Sequence, residues 1–318
     1  MHTNPPLQYA GEGVKQNENH IDAETISKNG LQNMHMKLET TSDRSIGAIL
    51  IDSGKLTVND TEQILRLQKV EKLRFGDAGI KMGLLTESDI QHALASQHDY
   101  PYLRVGDEAV SDALVAAFNP FCHKVELLRT LRSQLMVRRF TGQPNRKMLS
   151  IVSANRGEGR SYLAANLAIV FSQLGERTLL IDADMRHPCQ HELFKLENRR
   201  GFSSALAGRG DSQVVQRVNN FVDLSVLTSG PIPPNPQELL GRPALTTLLS
   251  NLVEEFDVIL IDTPPAANFA DAYTLSAKAG AAIVLARKNS SVLELVTQQT
   301  ENLVRSGIEV VGTVLSEF

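Results

Sequence analysis

From Met148 to Leu315 the apolar residues fall into short runs separated by longer stretches of mixed character. The segments T-L-L-I-D at 178–182 and V-I-L-I-D at 258–262 are apolar without alternation up to a terminal aspartate. A half-exposed strand alternates, so an unbroken run marks a strand covered on both faces of a parallel sheet. Strands are predicted near 148–153, 178–182, 224–228, 257–262, 281–286 and 309–315. Helices fall between most of them, 161–174 and 236–255 among them. This order, with right-handed crossovers, predicts a doubly wound α/β fold with a mostly parallel sheet.

The N-terminal half reads differently. Residues 1–43 are rich in Asn, Gln, His, Lys and Glu without a clear period, and a disordered tail is expected there. Residues 44–104 form a small, mainly helical unit, 105–118 a linker with a short helix, and 120–140 a helix opening a domain over 119–318. The small unit contains a repeat: residues 45–68 and 74–97 are each 24 residues long with five between them. Gly47/Gly76, Gly54/Gly83, Leu56/Leu85, Leu65/Leu94 and Gln68/Gln97 coincide in register.

Composition narrows the class. A chain of 318 residues is long enough for two domains, and 42% hydrophobic residues suffice for a core. A net charge of −4 gives no bulk nucleic-acid character. Two cysteines, Cys122 and Cys189, make no disulfide framework. The N-terminus lacks a basic-then-apolar signal pattern, and no apolar run reaches the roughly 18–20 residues that span a bilayer. The expectation is a soluble cytoplasmic protein, peripheral to the inner membrane only through a partner.

The first predicted strand runs into A-N-R-G-E-G-R-S, residues 154–161, and then a helix. This is the frame of a phosphate-binding loop with Arg160 in the usual lysine place. Glycines let backbone N–H groups wrap an anion, and the helix adds the positive end of its dipole. Asn155, Arg156, Gly157, Glu158, Gly159, Arg160, Ser161 and Tyr162 are the candidate nucleotide-binding residues. Arg160 would reach the β/γ-phosphates, and Ser161 would give its hydroxyl to Mg²⁺. Arginine keeps the charge of lysine but presents it as a planar fork. Two further strands end in Asp182 and Asp184, and in Asp262. Taken singly, each aspartate reads more readily as a helix cap or turn residue. Together, at the carboxyl ends of strands where α/β sheets bind ligands, they predict a metal–nucleotide site.

The loop, I-D-A-D-M-R and I-D-T-P-P together resemble the three nucleotide motifs of the bacterial tyrosine kinases of exopolysaccharide assembly. E-L-L-R-T-L-R at 126–132 fits that family's E-x-x-R-x-x-R helix, and P-N-P-Q-E-L-L at 234–240 resembles its N-P-x-E-L-L loop. The likeness covers about 119–318 and is nearest to EpsG-type chain-length-determinant kinases, which also carry arginine in the loop. It implies a MinD/ParA-like sheet that binds ATP and Mg²⁺. Asp182, Asp184 and Arg160 would be catalytic, Ser161, Asp182 and Asp262 metal-binding, and Arg186 would pair with the carboxylates or with phosphate. Glu126, Arg129 and Arg132 would meet a neighbouring subunit in a ring; by spacing alone they also fit an intrahelical charge pair. The implied partners are an inner-membrane polysaccharide co-polymerase as activator and a protein tyrosine substrate. The family's C-terminal tyrosine cluster is missing: the chain ends V-L-S-E-F and holds Tyr9, Tyr100, Tyr102, Tyr162 and Tyr273.

The repeat resembles the N-terminal domain of type II secretion and type IV pilus ATPases, some of which bind cyclic di-GMP. That likeness implies a ligand at Arg74 and Gly76 with Gly47, Gly54 and Gly83. A duplicated helical hairpin that docks on partners is the other reading. The first copy has Ser45 where the motif places arginine, with Lys55 at an apolar position, and the second has Gly79 at an apolar position. The functional expectation is a tyrosine autokinase controlling polysaccharide chain length, polymerisation and export. The alternative is a slow or inactive ATP-binding adaptor or positioning ATPase with a cyclic di-GMP-sensing domain; Asn155 stands where positioning ATPases carry a second lysine.

Overall fold

The computed structural model describes residues 44–97, 101–103, 106–143, 146–209 and 214–317, which form two compact units, one ending at Asp99 and one beginning at Tyr100. The expected tail, Tyr9 and Tyr100 lie outside the described residues.

Among the described residues the first unit holds four helices: α1 (Ile46–Asp52), α2 (Val58–Glu71), α3 (Phe75–Lys81) and α4 (Glu87–Gln97). The duplication is legible bond by bond. The N–H groups of Lys55 and Leu56 donate to the Leu50 carbonyl, as those of Leu84 and Leu85 donate to Gly79. Thr57 and Asp60 cap α2 reciprocally, and Thr86 and Asp89 repeat that exchange at α4. Gly54 (φ 70°) and Gly83 (φ 71°) occupy the left-handed turns that follow α1 and α3. Leu50, Leu56, Ile64, Ala78, Leu85 and Ala93 form the core. Lys55 is explained by an ion pair: its Nζ lies 2.9 Å from Asp89 and ties the first copy to the second.

The second unit contains α5 (Val115–Phe118), α6 (His123–Arg138), β1 (Met148–Ser153), α7 (Arg160–Ser172), β2 (Thr178–Asp182), α8 (Gln190–Leu193) and α9 (Phe202–Leu206). There follow β3 (Val215–Arg217), β4 (Leu224–Leu227), α10 (Pro236–Leu240), α11 (Pro243–Glu255), β5 (Val258–Asp262), α12 (Asp271–Ala279), β6 (Ala281–Arg287), α13 (Leu293–Arg305) and β7 (Glu309–Ser316). The sheet has seven strands in the order β3-β4-β2-β5-β1-β6-β7. All neighbours are parallel except β3–β4. β2 and β5 are buried at every position, as their unbroken apolar runs require.

Two elements differ from expectation. The helix predicted over 236–255 is two helices, because Gly241 closes α10 and Pro243 opens α11, and a proline fits only a helix's first turn. β3 is a three-residue antiparallel edge with no strand-like apolar run of its own. Helix α7 is buried along nearly its whole length, so the loop before it is anchored on a rigid element.

Candidate nucleotide and metal site

β1, β2 and β5 are parallel and adjacent, so their carboxyl ends open on one edge of the sheet. β1 leads into the loop at 154–159. Gly157 (φ 81°) and Gly159 (φ 97°) take the left-handed conformation, and a Cβ on Gly157 would face open space. Backbone N–H groups can therefore turn toward an anion at the start of α7, where the helix dipole favours one.

Glu158 braces this loop from behind. It is only 2% exposed, and its Oε2 accepts the Asn155 N–H at 2.7 Å. Ser291 donates to its other oxygen, Ser316 Oγ donates to its carbonyl at 3.1 Å, and Arg287 Nη1 donates to the Gly157 carbonyl at 3.0 Å. The side chain of Glu158 thus faces the protein and shapes the loop.

Arg160 is buried. Its Nε donates to the Thr263 carbonyl at 2.8 Å, and Nη1 donates to the Asn155 carbonyl at 2.7 Å and to Ser153 Oγ. The fork joins the phosphate loop to the turn after β5. A lysine would offer a point charge without this two-sided reach.

Asp182 and Asp262 are register partners at the ends of β2 and β5, and both are fully buried. Asp182 Oδ2 accepts the N–H groups of Cys189 (3.1 Å) and Gln190 (3.0 Å). Asp262 Oδ2 accepts from Gln190 Nε2 at 2.8 Å, and Ser161 stands beside this carboxylate. The Oδ1 atoms of both aspartates are buried without a hydrogen-bond partner. Burial first, and the Asp262 charge second, push Asp182 well above the usual carboxylate range. Burial raises Asp262 to about 6, against the pull of Ser161, Gln190 and Arg160. Two buried carboxylates with unsatisfied oxygens suit a hard divalent cation that prefers oxygen ligands, so the residues fit Mg²⁺.

Asp184 lies two residues beyond Asp182, past the end of β2. Its Oδ1 accepts the N–H groups of Arg186 (3.1 Å) and His187 (2.9 Å), which fixes the bend after β2. Arg186 pairs with none of the three site aspartates. It forks onto Asp271 at the start of α12 (3.0 and 3.4 Å) and lies 3.9 Å from the Phe269 ring centre. Asn155 and Tyr162 are half-buried and Arg156 is exposed. Sequence reasoning missed Gln190, which is fully buried and also donates to the Ser161 carbonyl at 3.1 Å. It also missed Asp271, and it gave Thr263, though part of the I-D-T-P-P motif, no role. No local motif marks Gln190 or Asp271; only the fold brings them to the site.

On α6, Glu126 and Arg129 form an intrahelical pair, while Arg132 Nη1 donates to the Val170 carbonyl of α7 at 2.8 Å. Thr130, Ser133 and Val137 join all three in lining a shallow groove of about 650 Å³. In the helical unit, Gly47 and Gly76 lie inside α1 and α3 and let helices approach: a Cβ on Gly76 would meet Ile90 Cδ1 at 2.7 Å. Arg74 is the exposed residue preceding α3.

A glycine-turned anion loop, a buried carboxylate pair and a parallel sheet define a P-loop NTPase. Residues 145–316 match the family model ParA, described as NUBPL iron-transfer P-loop NTPase. Tyrosine-protein kinase YwqD of Bacillus subtilis (strain 168) is 35% identical over 203 residues, 64% of this chain and 85% of that one. Putative tyrosine-protein kinase CapB of Staphylococcus aureus is 37% identical over 199 residues, 61% and 84% of the two chains. The solved kinase domain of Escherichia coli tyrosine kinase ETK superposes with a TM-score of 0.60 at 30% identity, covering 64% of this chain and 79% of that one. Within the P-loop NTPases, the chain belongs to the bacterial tyrosine-protein kinases. Among the described residues no helix is long and apolar enough to cross a membrane.

Proposed function

We propose that this protein is an ATP- and Mg²⁺-dependent protein-tyrosine kinase that regulates exopolysaccharide chain length and export. The observation that carries the reading is the pair Asp182–Asp262, side by side at the ends of β2 and β5 beside Ser161, in a chain of the tyrosine-kinase family. The loop N–H groups would bind the phosphates, and Ser161, Asp182 and Asp262 would hold Mg²⁺. The ion supplies charge neutralisation for the transferred phosphoryl group. Phosphoryl transfer asks mainly for positioning and electrostatics, and the buried site provides both. Asp182, fully buried at the end of β2, would hold the ion as a carboxylate, a charge that the bound cation favours there. Asp184 and Arg186 shape the acceptor side, with Arg186 held by Asp271.

The groove on α6 around Glu126, Arg129 and Arg132 is the surface for a second copy, consistent with a ring. An inner-membrane polysaccharide co-polymerase recruits and activates the kinase. Tyr162 and Tyr273 are half-buried within the sheet unit, and burial raises the Tyr162 pKa. The acceptor is Tyr9 or a tyrosine of another protein rather than Tyr162 or Tyr273.

Transfer from γ-labelled ATP tests the reading. Phosphotyrosine is expected with Mg²⁺ and is lost in Asp182→Asn. ATP hydrolysis without phosphotyrosine, even with the co-polymerase present, would sink it in favour of a slow nucleotide-binding adaptor. The observation behind that second reading is the engagement of Arg160 with protein acceptors.

A further inference from the structure

We propose that Gln190 is a positioning residue of the metal site. It fixes Asp262 and the first turn of α7 in one relation and offers its own Oε1 to the water shell of the cation. The proposal rests on reading the Asp182–Asp262 pair as an Mg²⁺ site.

Gln190 touches every part of that site. Its N–H donates to Asp182 Oδ2 at 3.0 Å, and its Nε2 donates to Asp262 Oδ2 at 2.8 Å and to the Ser161 carbonyl at 3.1 Å. One fully buried residue thus ties together the ends of β2 and β5 and the start of α7. Without its amide, the Asp262 carboxylate would lose this donor, and its side chain could rotate away from Asp182.

The second observation is what Gln190 leaves unsatisfied. Its Oε1 is buried without a partner, as are Oδ1 of Asp182 and Oδ1 of Asp262. A buried polar atom left without a partner costs about 1–3 kcal/mol, so three on mutually bonded residues call for an occupant. All three are acceptors. The occupant must bring positive charge, O–H donors, or both, and a partly hydrated divalent cation brings both. Mg²⁺ gives up its waters reluctantly, which leaves O–H donors for a neutral amide oxygen. Residues that orient metal-binding carboxylates in this way typically change metal affinity by about 10–100-fold when removed.

The experiment uses the full chain with a non-hydrolysable ATP analogue and Mn²⁺ as spectroscopic probe. Gln190→Leu is compared with Asp262→Asn, and analogue affinity is also measured without metal. The expected result is Mn²⁺ affinity about 10–100-fold weaker in Gln190→Leu. Analogue binding without metal should be unchanged, and saturating Mg²⁺ should restore most of kcat. Gln190→Met, unbranched and of the same length, replaces the leucine variant if that one does not fold. A lowered melting temperature with parental Mn²⁺ affinity would mean a merely structural glutamine and would overturn the proposal. If Asp262→Asn weakens Mn²⁺ binding and Gln190→Leu does not, the Gln190 proposal fails alone. If neither does, the metal-site reading falls with it.

Discussion

Asp182 and Asp262 face one another across adjacent parallel strands, and each keeps one buried carboxylate oxygen without a partner. The apo fold therefore holds two acidic groups where neither is comfortable ionised. Burial, first among the causes, raises both.

Replacing Asp262 by Asn removes that penalty. Asp262 sits at about 6 in the folded protein against an ordinary 3.8, so the folded state resists its ionisation. The cost is fully present above about pH 6 and disappears as pH falls toward 4, where the acid is protonated in both states. Asp262→Asn should therefore stabilise the metal-free protein by about 1–3 kcal/mol at pH 7, and hardly at all near pH 4. Urea denaturation at the two pH values in EDTA checks this. The same variant should lose Mg²⁺-dependent phosphotransfer, so stability and activity move in opposite directions.

Arg160→Lys keeps the charge but loses the fork that spans Asn155 and Thr263. The apo protein should lose about 1.5–3 kcal/mol, the worth of hydrogen bonds to a charged group. Affinity for an ATP analogue should stay within ten-fold, because the loop N–H groups and the positive charge remain. Chemical denaturation and calorimetry separate the two effects. A loss of stability without a collapse in binding identifies Arg160 as a loop cross-link as well as a phosphate ligand.

The three charged positions of α6 should part company when mutated singly. Arg132 bonds the α7 backbone, so Arg132→Ala should destabilise the protein by about 1 kcal/mol whatever the protein concentration. The Glu126–Arg129 pair, exposed at its glutamate, contributes only about 0.2–0.5 kcal/mol to its helix. Glu126→Ala should leave the melting temperature nearly unchanged while shifting the oligomer toward monomer in sedimentation. An unchanged assembly in that variant would remove α6 from the interface.

In the helical unit, burial would raise Asp89, but Thr86 and Lys55 outweigh it and bring the carboxyl down to about 2. Its stabilising effect is present above the ordinary value of 3.8 and is lost as pH falls through about 2. Asp89→Asn should lower the stability of this unit at pH 7 and do so far less at pH 2. Circular dichroism melts of the full chain at the two pH values read the difference.

The chemistry of the edge was legible where it lies at strand ends, because an apolar run stopping at Asp182 or Asp262 carries its own signal. The phosphate loop was legible from its glycines. Gln190 was not: it stands eight positions beyond Asp182, in a four-residue helix, and only the sheet brings it to Asp262. The Arg186–Asp271 pair likewise joins positions 85 residues apart. β3 escaped notice because V-Q-R is half-exposed and too short to show a period. The division of 236–255 was written in Pro243, whose ring has no place inside a continuous helix.

The brace formed by Glu158, Ser291, Ser316 and Arg287 bears on entropy. A free loop residue loses about 1–2 kcal/mol of conformational freedom when a ligand fixes it. Here folding of β6 and β7 has already fixed residues 157 and 158. Little of the attraction for phosphate is spent on ordering these residues, and more of it is left to draw the reacting groups together.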